Sequence, residues 1–271
     1  MEKLQSGQFY GDTNQKLTLP GLILTDTEYT HPYVDWHYHE HAYFTFIIEG
    51  KVLEANRKET YHCTAGDLLF HHWQEPHYNS KPKGFTRGFH VELKNEWFSG
   101  YDLPVNLIEG SVRMKDPRLK LAMSGIFAAM KRGGENITAS IDTELIGLFS
   151  TAAQSPEIKC TGCPDWVKQL SELLHDAPDS HQLQLSEIAA IVNIHPVHLS
   201  RTFPIYFGCS FSKYLRLIKL QKATQLLVDK GQSLTEIAAS CGFADQSHFI
   251  RHFKTIRQMT PLSYRRLVSI C

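Results

Sequence analysis

The chain has 271 residues, 42% of them hydrophobic, with 28 Lys plus Arg balanced by 28 Asp plus Glu. That length suits two domains rather than one. No apolar run approaches about 18 residues, which excludes a membrane-spanning helix. The start, Met1 to Ser6, lacks the basic-then-apolar order of a signal peptide, so a cytoplasmic location is expected. The zero net charge hides an asymmetry. From His181 to Cys271, eleven Lys and Arg face four Asp and Glu, which leaves +7 there and −7 on residues 1–180. A basic end on an acidic body points to one polyanion-binding domain. The six cysteines form no regular framework, as in a reducing compartment.

In chain order, residues 17–93 are predicted to form strands. Tyr43–Ile48, Lys51–Ala55, Asp67–Phe70 and Phe89–Leu93 are short β-rich runs separated by turn residues, the pattern of a barrel or sandwich. Histidines concentrate here: His37-Tyr38-His39-Glu40-His41, then His71-His72-Trp73, His77 and His90. The His-x-His pair followed by a later single His resembles the cupin pattern over roughly residues 20–93. The resemblance implies a small β-barrel, of the kind that accompanies many AraC-type regulators. In a metal-binding cupin, His37, His39 and His77 would be ligands beside a Glu. That Glu position falls near Tyr43, a poor substitute, which leaves Glu40, His41, His72 or His90 to complete a set. The other reading is a polar small-molecule pocket. Its expected lining is Trp36, His37, His39, Tyr43, Phe70, His72, Trp73, His77 and His90. No cofactor is expected; a divalent metal on His37, His39 and His77 is the open alternative, and imidazoles suit Zn, Fe, Ni or Cu alike.

After Asp116-Pro117 the period changes. Leu119, Met123, Ile126 and Met130 lie at helical spacing up to Lys131-Arg132-Gly133-Gly134. A second helix is predicted from about 138 to 154, with Ile141, Leu145, Leu148 and Phe149 on one side. The pair reads as cover for the barrel or as a dimer seam, with the seam preferred. Residues 1–154 are thus one expected domain, 155–164 a Pro- and Gly-containing linker, and 165–271 the second domain. Cys160 and Cys163 form a lone CxxC, read as two unpaired thiols in the linker. Asp165 opens a helix to about His175, and residues 176–180 break the chain.

The last third contains a near-repeat. Leu185-Ser186-Glu187-Ile188-Ala189-Ala190 recurs as Leu234-Thr235-Glu236-Ile237-Ala238-Ala239. Each copy leads into a second amphipathic stretch that ends in Phe203 or Phe253. The spacing predicts two helix-turn-helix units, at about 183–204 and 232–254, joined by one long helix over 211–228. Ser186 and Thr235 are the expected N-caps of the first helices. Pro196 and Asp245 open the second helices. With Leu199, Phe203, Phe249 and Phe253 inward, the outward residues are Val197, His198, Ser200, Arg201, Gln246, Ser247, His248, Arg251 and Lys254. A helix fits the major groove of DNA, where Arg pairs with guanine and Gln with adenine, while Lys holds phosphate.

From about Leu183 to Arg265 the segment resembles the DNA-binding domain of AraC/XylS-type regulators. The motifs that carry the resemblance are Ile237-Ala238, Cys241 to Phe249, Phe253-Lys254, Thr260-Pro261 and Tyr264-Arg265, with Phe207-Gly208, Phe211 and Tyr214-Leu215 in the middle. The resemblance implies two units in adjacent major grooves of double-stranded promoter DNA. Departures are His195 where the family has Ser, Lys219 where it has Arg, and Gln258 where it has Gly. The expected fold is therefore mixed: a cupin-like β-barrel with flanking helices, then an all-α domain of two helix-turn-helix units. The expected protein is a transcription regulator, not an enzyme, that senses a small-molecule effector. It is expected to act as a homodimer and, if an activator, to meet RNA polymerase. The alternative is a cupin metalloenzyme with a helical appendage.

Overall fold

The computed structural model describes residues 1–155, 162–176 and 182–269. Eleven strands form two sheets in the N-terminal part. They are β1 (Glu2–Leu4), β2 (Asp12–Leu19), β3 (Leu22–Glu28), β4 (Tyr33–His39), β5 (Ala42–Glu49), β6 (Lys51–Asn56), β7 (Thr60–Thr64), β8 (Leu68–His71), β9 (His77–Ser80), β10 (Arg87–Leu93) and β11 (Val112–Met114). One sheet runs β1-β4-β9-β6-β7, the other β11-β8-β5-β10-β3-β2. All pairings are antiparallel except β1 with β4. The predicted strand runs coincide with β5, β6, β8 and β10.

β5 and β10 are the centre of the larger sheet and are buried nearly throughout, since both their faces are covered. The turn from β5 into β6 requires Gly50. Its φ is +82°, and a Cβ there would lie 2.1 Å from the Phe85 carbonyl oxygen. Outside the sheet, Phe89 packs on Phe127 at 5.0 Å between ring centroids. Arg87, 1% exposed, is neutralised by Asp26 through two hydrogen bonds of 2.7 and 2.6 Å, and Lys131 joins the same carboxylate. Removing Asp26 would strand two cations in the interior, the costly way to break a buried ion pair.

Three helices follow the strands: α1 (Asn95–Gly100), α2 (Pro117–Arg132) and α3 (Ile137–Ala152). Leu119, Met123, Ile126, Met130, Ile141, Leu145, Leu148 and Phe149 are all buried within the chain itself. That burial is what the cover reading of the helix pair requires. The two compact units are residues 1–114 with 126–143, and 115–125 with 144 onward. Both α2 and α3 are divided between them, so the boundary is not a simple cut at 154.

The second unit continues with α4 (Asp165–Asp176), α5 (Leu185–Ile191), α6 (Pro196–Phe207), α7 (Phe211–Leu226), α8 (Leu234–Ser240), α9 (Gln246–Arg257) and α10 (Pro261–Val268). Leu170 and Leu174 of α4 join Ile188, Ala189, Leu199, Phe203 and Tyr214 in one core. Ile237, Ala238, Cys241, Phe249, Phe253 and Tyr264 are buried in the second half. Most of the expected linker, 156–161 with Cys160, lies outside the described residues, as does most of the 176–180 break. Cys163 is disulfide-bonded, which corrects the reading of two unpaired thiols.

Candidate nucleic-acid interface and ligand pocket

The two copies of the repeat fold alike. In the second, Ser233 is the N-cap of α8: its hydroxyl accepts from the Glu236 amide at 3.2 Å, and Glu236 accepts the Ser233 amide at 2.8 Å. In the first, the N-cap is Gln184, whose amide donates to Glu187 at 2.6 Å. The expected caps Ser186 and Thr235 therefore sit two residues too late. The Glu three positions after the true cap reaches back to it, and so fixes the start of each helix.

Asn193, at φ +53°, turns the chain in the first unit, and Gly242, at φ +70°, does so in the second. Asp245 caps α9 by accepting the His248 amide at 2.7 Å. His195, the departure at the first turn, also caps: its Nδ1 accepts the Val197 amide at 3.2 Å. The first caps are 49 residues apart and the second caps 50, so the second turn is one residue longer. Lys219, the other departure, donates from Nζ to the Gly242 carbonyl at 2.7 Å, which ties α7 to the second turn.

On α6, Val197, His198, Ser200 and Arg201 are exposed while Leu199 and Phe203 are fully buried. On α9, Ser247, Arg251 and Lys254 are exposed above buried Phe249 and Phe253. Two expected outward residues are engaged within the protein. Gln246 Oε1 accepts from the Thr235 hydroxyl at 2.7 Å. His248 Nε2 lies 2.8 Å from His252 Nε2, a contact in which one ring donates. Arg201, Arg251 and Lys254 have no side-chain partner among the described residues, so their hydrogen-bond donors face solvent.

Within the barrel a pocket opens between the sheets. Of the residues expected to line it, His37, His39, Tyr43, His77 and His90 do so. Trp36, Phe70, His72 and Trp73 do not, and the strand period of two is the reason. His37 and His39 point in, so Trp36, the strand neighbour just before His37, points out and packs on Tyr78 at 5.1 Å. Phe70 packs on Phe44. His71, its neighbour, stacks on Tyr43 at 4.2 Å and 7° beside the pocket. Trp73, past the end of β8, packs on Phe98.

Glu54, Phe9, Tyr10 and Tyr29 also line the pocket and were missed. Glu54 had a signal: it shares a strand face with Val52 in the apolar alternation of β6. Phe9 had none, because it lies in an irregular segment; it stacks on His90 at 3.8 Å and on His39 at 4.8 Å.

Burial sets the charge state of this pocket. Desolvation pulls His77 and His90 down to about 3, and lowers His37, His39 and His71 as well, so the imidazoles are neutral. Glu54, also desolvated, is pushed up to about 8. His90 is satisfied on both sides, by Tyr29 Oη and Thr45 Oγ1, each at 3.2 Å. Of the residues expected to complete a cupin ligand set, Glu40 is exposed and paired with Lys3, and His41 and His72 lie outside the pocket lining.

A barrel pocket in one unit and a doubled helix-turn-helix in the other define a two-domain class of protein. Residues 19–149 match the family described as AraC-like ligand binding domain, and residues 188–267 match a helix-turn-helix domain family. The chain is thus similar to AraC-type proteins over residues 19–149 and to helix-turn-helix proteins over residues 188–267. It is 31% identical over 94 residues to the regulatory protein PocR of Salmonella typhimurium, a match that covers 35% of this chain and 31% of PocR. It is 32% identical over 93 residues to the transcriptional regulator GbdR of Pseudomonas aeruginosa, covering 34% of this chain and 25% of GbdR. The chain thus spans about a third or less of these relatives. The Msm operon regulatory protein of Streptococcus mutans is 22% identical over 82% of both chains.

Proposed function

We propose that the protein is a sequence-specific transcription regulator whose N-terminal pocket takes a small-molecule effector. The observation that carries this is the pair of equivalent, separately capped helices α6 and α9. Each buries its aromatic face and leaves unpartnered basic side chains outward, on a domain with a net charge of +7 from His181 onward. The surfaces of α6 and α9 are read as entering the major groove, with Arg201 and Arg251 at base edges and Lys254 on phosphate. Val197, His198, Ser200, Gln246, Ser247 and His248 complete the contact set in this reading.

The reading places the protein in the cytoplasm, as a homodimer on double-stranded promoter DNA, with RNA polymerase as a partner if it activates. In this reading the protein is a regulator and not an enzyme. An effector that binds one arrangement of the dimer better than another would shift which DNA sites the two domains span.

Fluorescence anisotropy with DNA from upstream of its own gene tests this. The expected result is binding that weakens steeply with salt and discriminates against scrambled DNA. Binding indifferent to both salt and sequence would overturn it.

A further inference from the structure

The pocket contains a second, unexpected grouping. Glu54 of β6, His71 of β8 and His77 of β9 bring one ligand atom each to within 4.8 Å of one another, and all three are buried. His77 donates from Nδ1 to the Glu75 carbonyl at 3.1 Å. A carbonyl only accepts, so the proton is on Nδ1 and Nε2 presents a lone pair. That lone pair faces Glu54 Oε1 at 3.6 Å and the Tyr43 hydroxyl at 2.9 Å. A backbone oxygen that orients an imidazole through its far nitrogen is the usual outer support of a metal ligand. His71 Nε2 is buried without a hydrogen-bond partner. Glu54 is 5% exposed, and its only ion-pair neighbour among the described residues is His77, held neutral. A buried orphan nitrogen and a buried carboxyl without a cation are each costly alone. One divalent ion between them satisfies both.

We propose that Glu54, His71 and His77 form a binding site for a divalent transition-metal ion. Two imidazoles and one carboxylate suit Zn and its neighbours rather than Ca or Mg. Ligand bonds of about 2.0–2.2 Å would draw the three donors together by roughly 1 Å. Glu54 and His77 line the pocket, so an open coordination position faces it, where a ligand donor or water can bind. The cupin-like pattern names His37, His39 and His77 instead. Those three also cluster, but no acid joins them among the described residues. Glu54 supplies the acid from a different strand, and it brings His71 with it. Metal binding stands on this geometry alone; that the ion is the effector, or anchors it, rests on the regulator reading above.

The test uses the full chain stripped with a chelator and titrated with Zn2+ by calorimetry, with Co2+ absorption as a second readout of the ligands. One ion per chain is expected. Glu54→Gln and His71→Gln should each weaken it by at least about tenfold, while His39→Gln changes it by less than about threefold. Near-ultraviolet circular dichroism checks each fold; if His71→Gln does not fold, the isosteric Glu54→Gln decides. Absence of stoichiometric Zn2+ overturns the proposal, as does binding lost with His39→Gln but kept in Glu54→Gln. DNA binding is measured on the same samples. Salt-sensitive DNA binding without Zn2+ binding sinks the metal site and leaves the regulator reading; the reverse result sinks the regulator reading alone.

Discussion

Acidification should destabilise the barrel through His90, and substitution of that residue should remove a defined part of the effect. His90 is 2% exposed, held between Tyr29 and Thr45 and stacked on Phe9. Burial lowers it from the ordinary 6.5 to about 3. Its folded value lies below its unfolded value, so the unfolded chain binds the extra proton between those pH values. The stability His90 contributes is complete above pH 6.5 and is lost as pH falls toward 3. Each pH unit in that window costs about 1.4 kcal/mol, so by pH 5 the loss is about 2 kcal/mol. Domains are stable by only about 5–15 kcal/mol, and His39, His71 and His77 add in the same direction, so this is a large term. The assay is urea unfolding of chelator-treated full chain at pH 7, 6 and 5, followed by near-ultraviolet circular dichroism. His90→Gln, neutral and of similar size, should reduce the loss of stability between pH 7 and pH 5 by about 2 kcal/mol. Equal slopes in the two proteins would refute the reasoning.

Three further outcomes follow from the second unit. Arg251→Ala should weaken the preferred DNA by about 1–3 kcal/mol and relax discrimination at one base position, read by competition with single-base variants. Lys254→Ala should weaken all sequences alike and flatten the dependence of affinity on salt, by about one unit of the logarithmic slope. Gln258→Gly should raise stability by about 0.5–1 kcal/mol, measured by chemical unfolding, because Gln258 ends α9 at φ +53°, where a Cβ is strained. A fall in stability would show that the Gln258 hydrogen bond to the Thr255 carbonyl outweighs that strain.

Much of the helical domain was legible in advance. The duplicated Leu-Ser/Thr-Glu-Ile-Ala-Ala block, Pro196, Asp245 and Gly242 act over four or five residues, and local signals of that range survive folding. The exact caps were not legible. Ser186 and Thr235 carry the right side chain, but the backbone starts each helix earlier, where Glu187 and Glu236 can reach back. In the barrel, the strands were legible from their β-branched and aromatic runs, and so were five pocket residues.

What the sequence by itself determined is the doubled helix-turn-helix, its basic charge and the concentration of histidine in the strand region. Only the tertiary structure decided which of those histidines meet. His37, His71, His77 and His90 come from four strands, and Glu54 from a fifth. Side-chain direction reverses at every strand residue, so a shift of one position exchanges His71 for His72 or His37 for Trp36. The register that settles this comes from pairings such as Tyr43 with His71 and His37 with His77, made between residues 28 and 40 positions apart. No local pattern reaches that far.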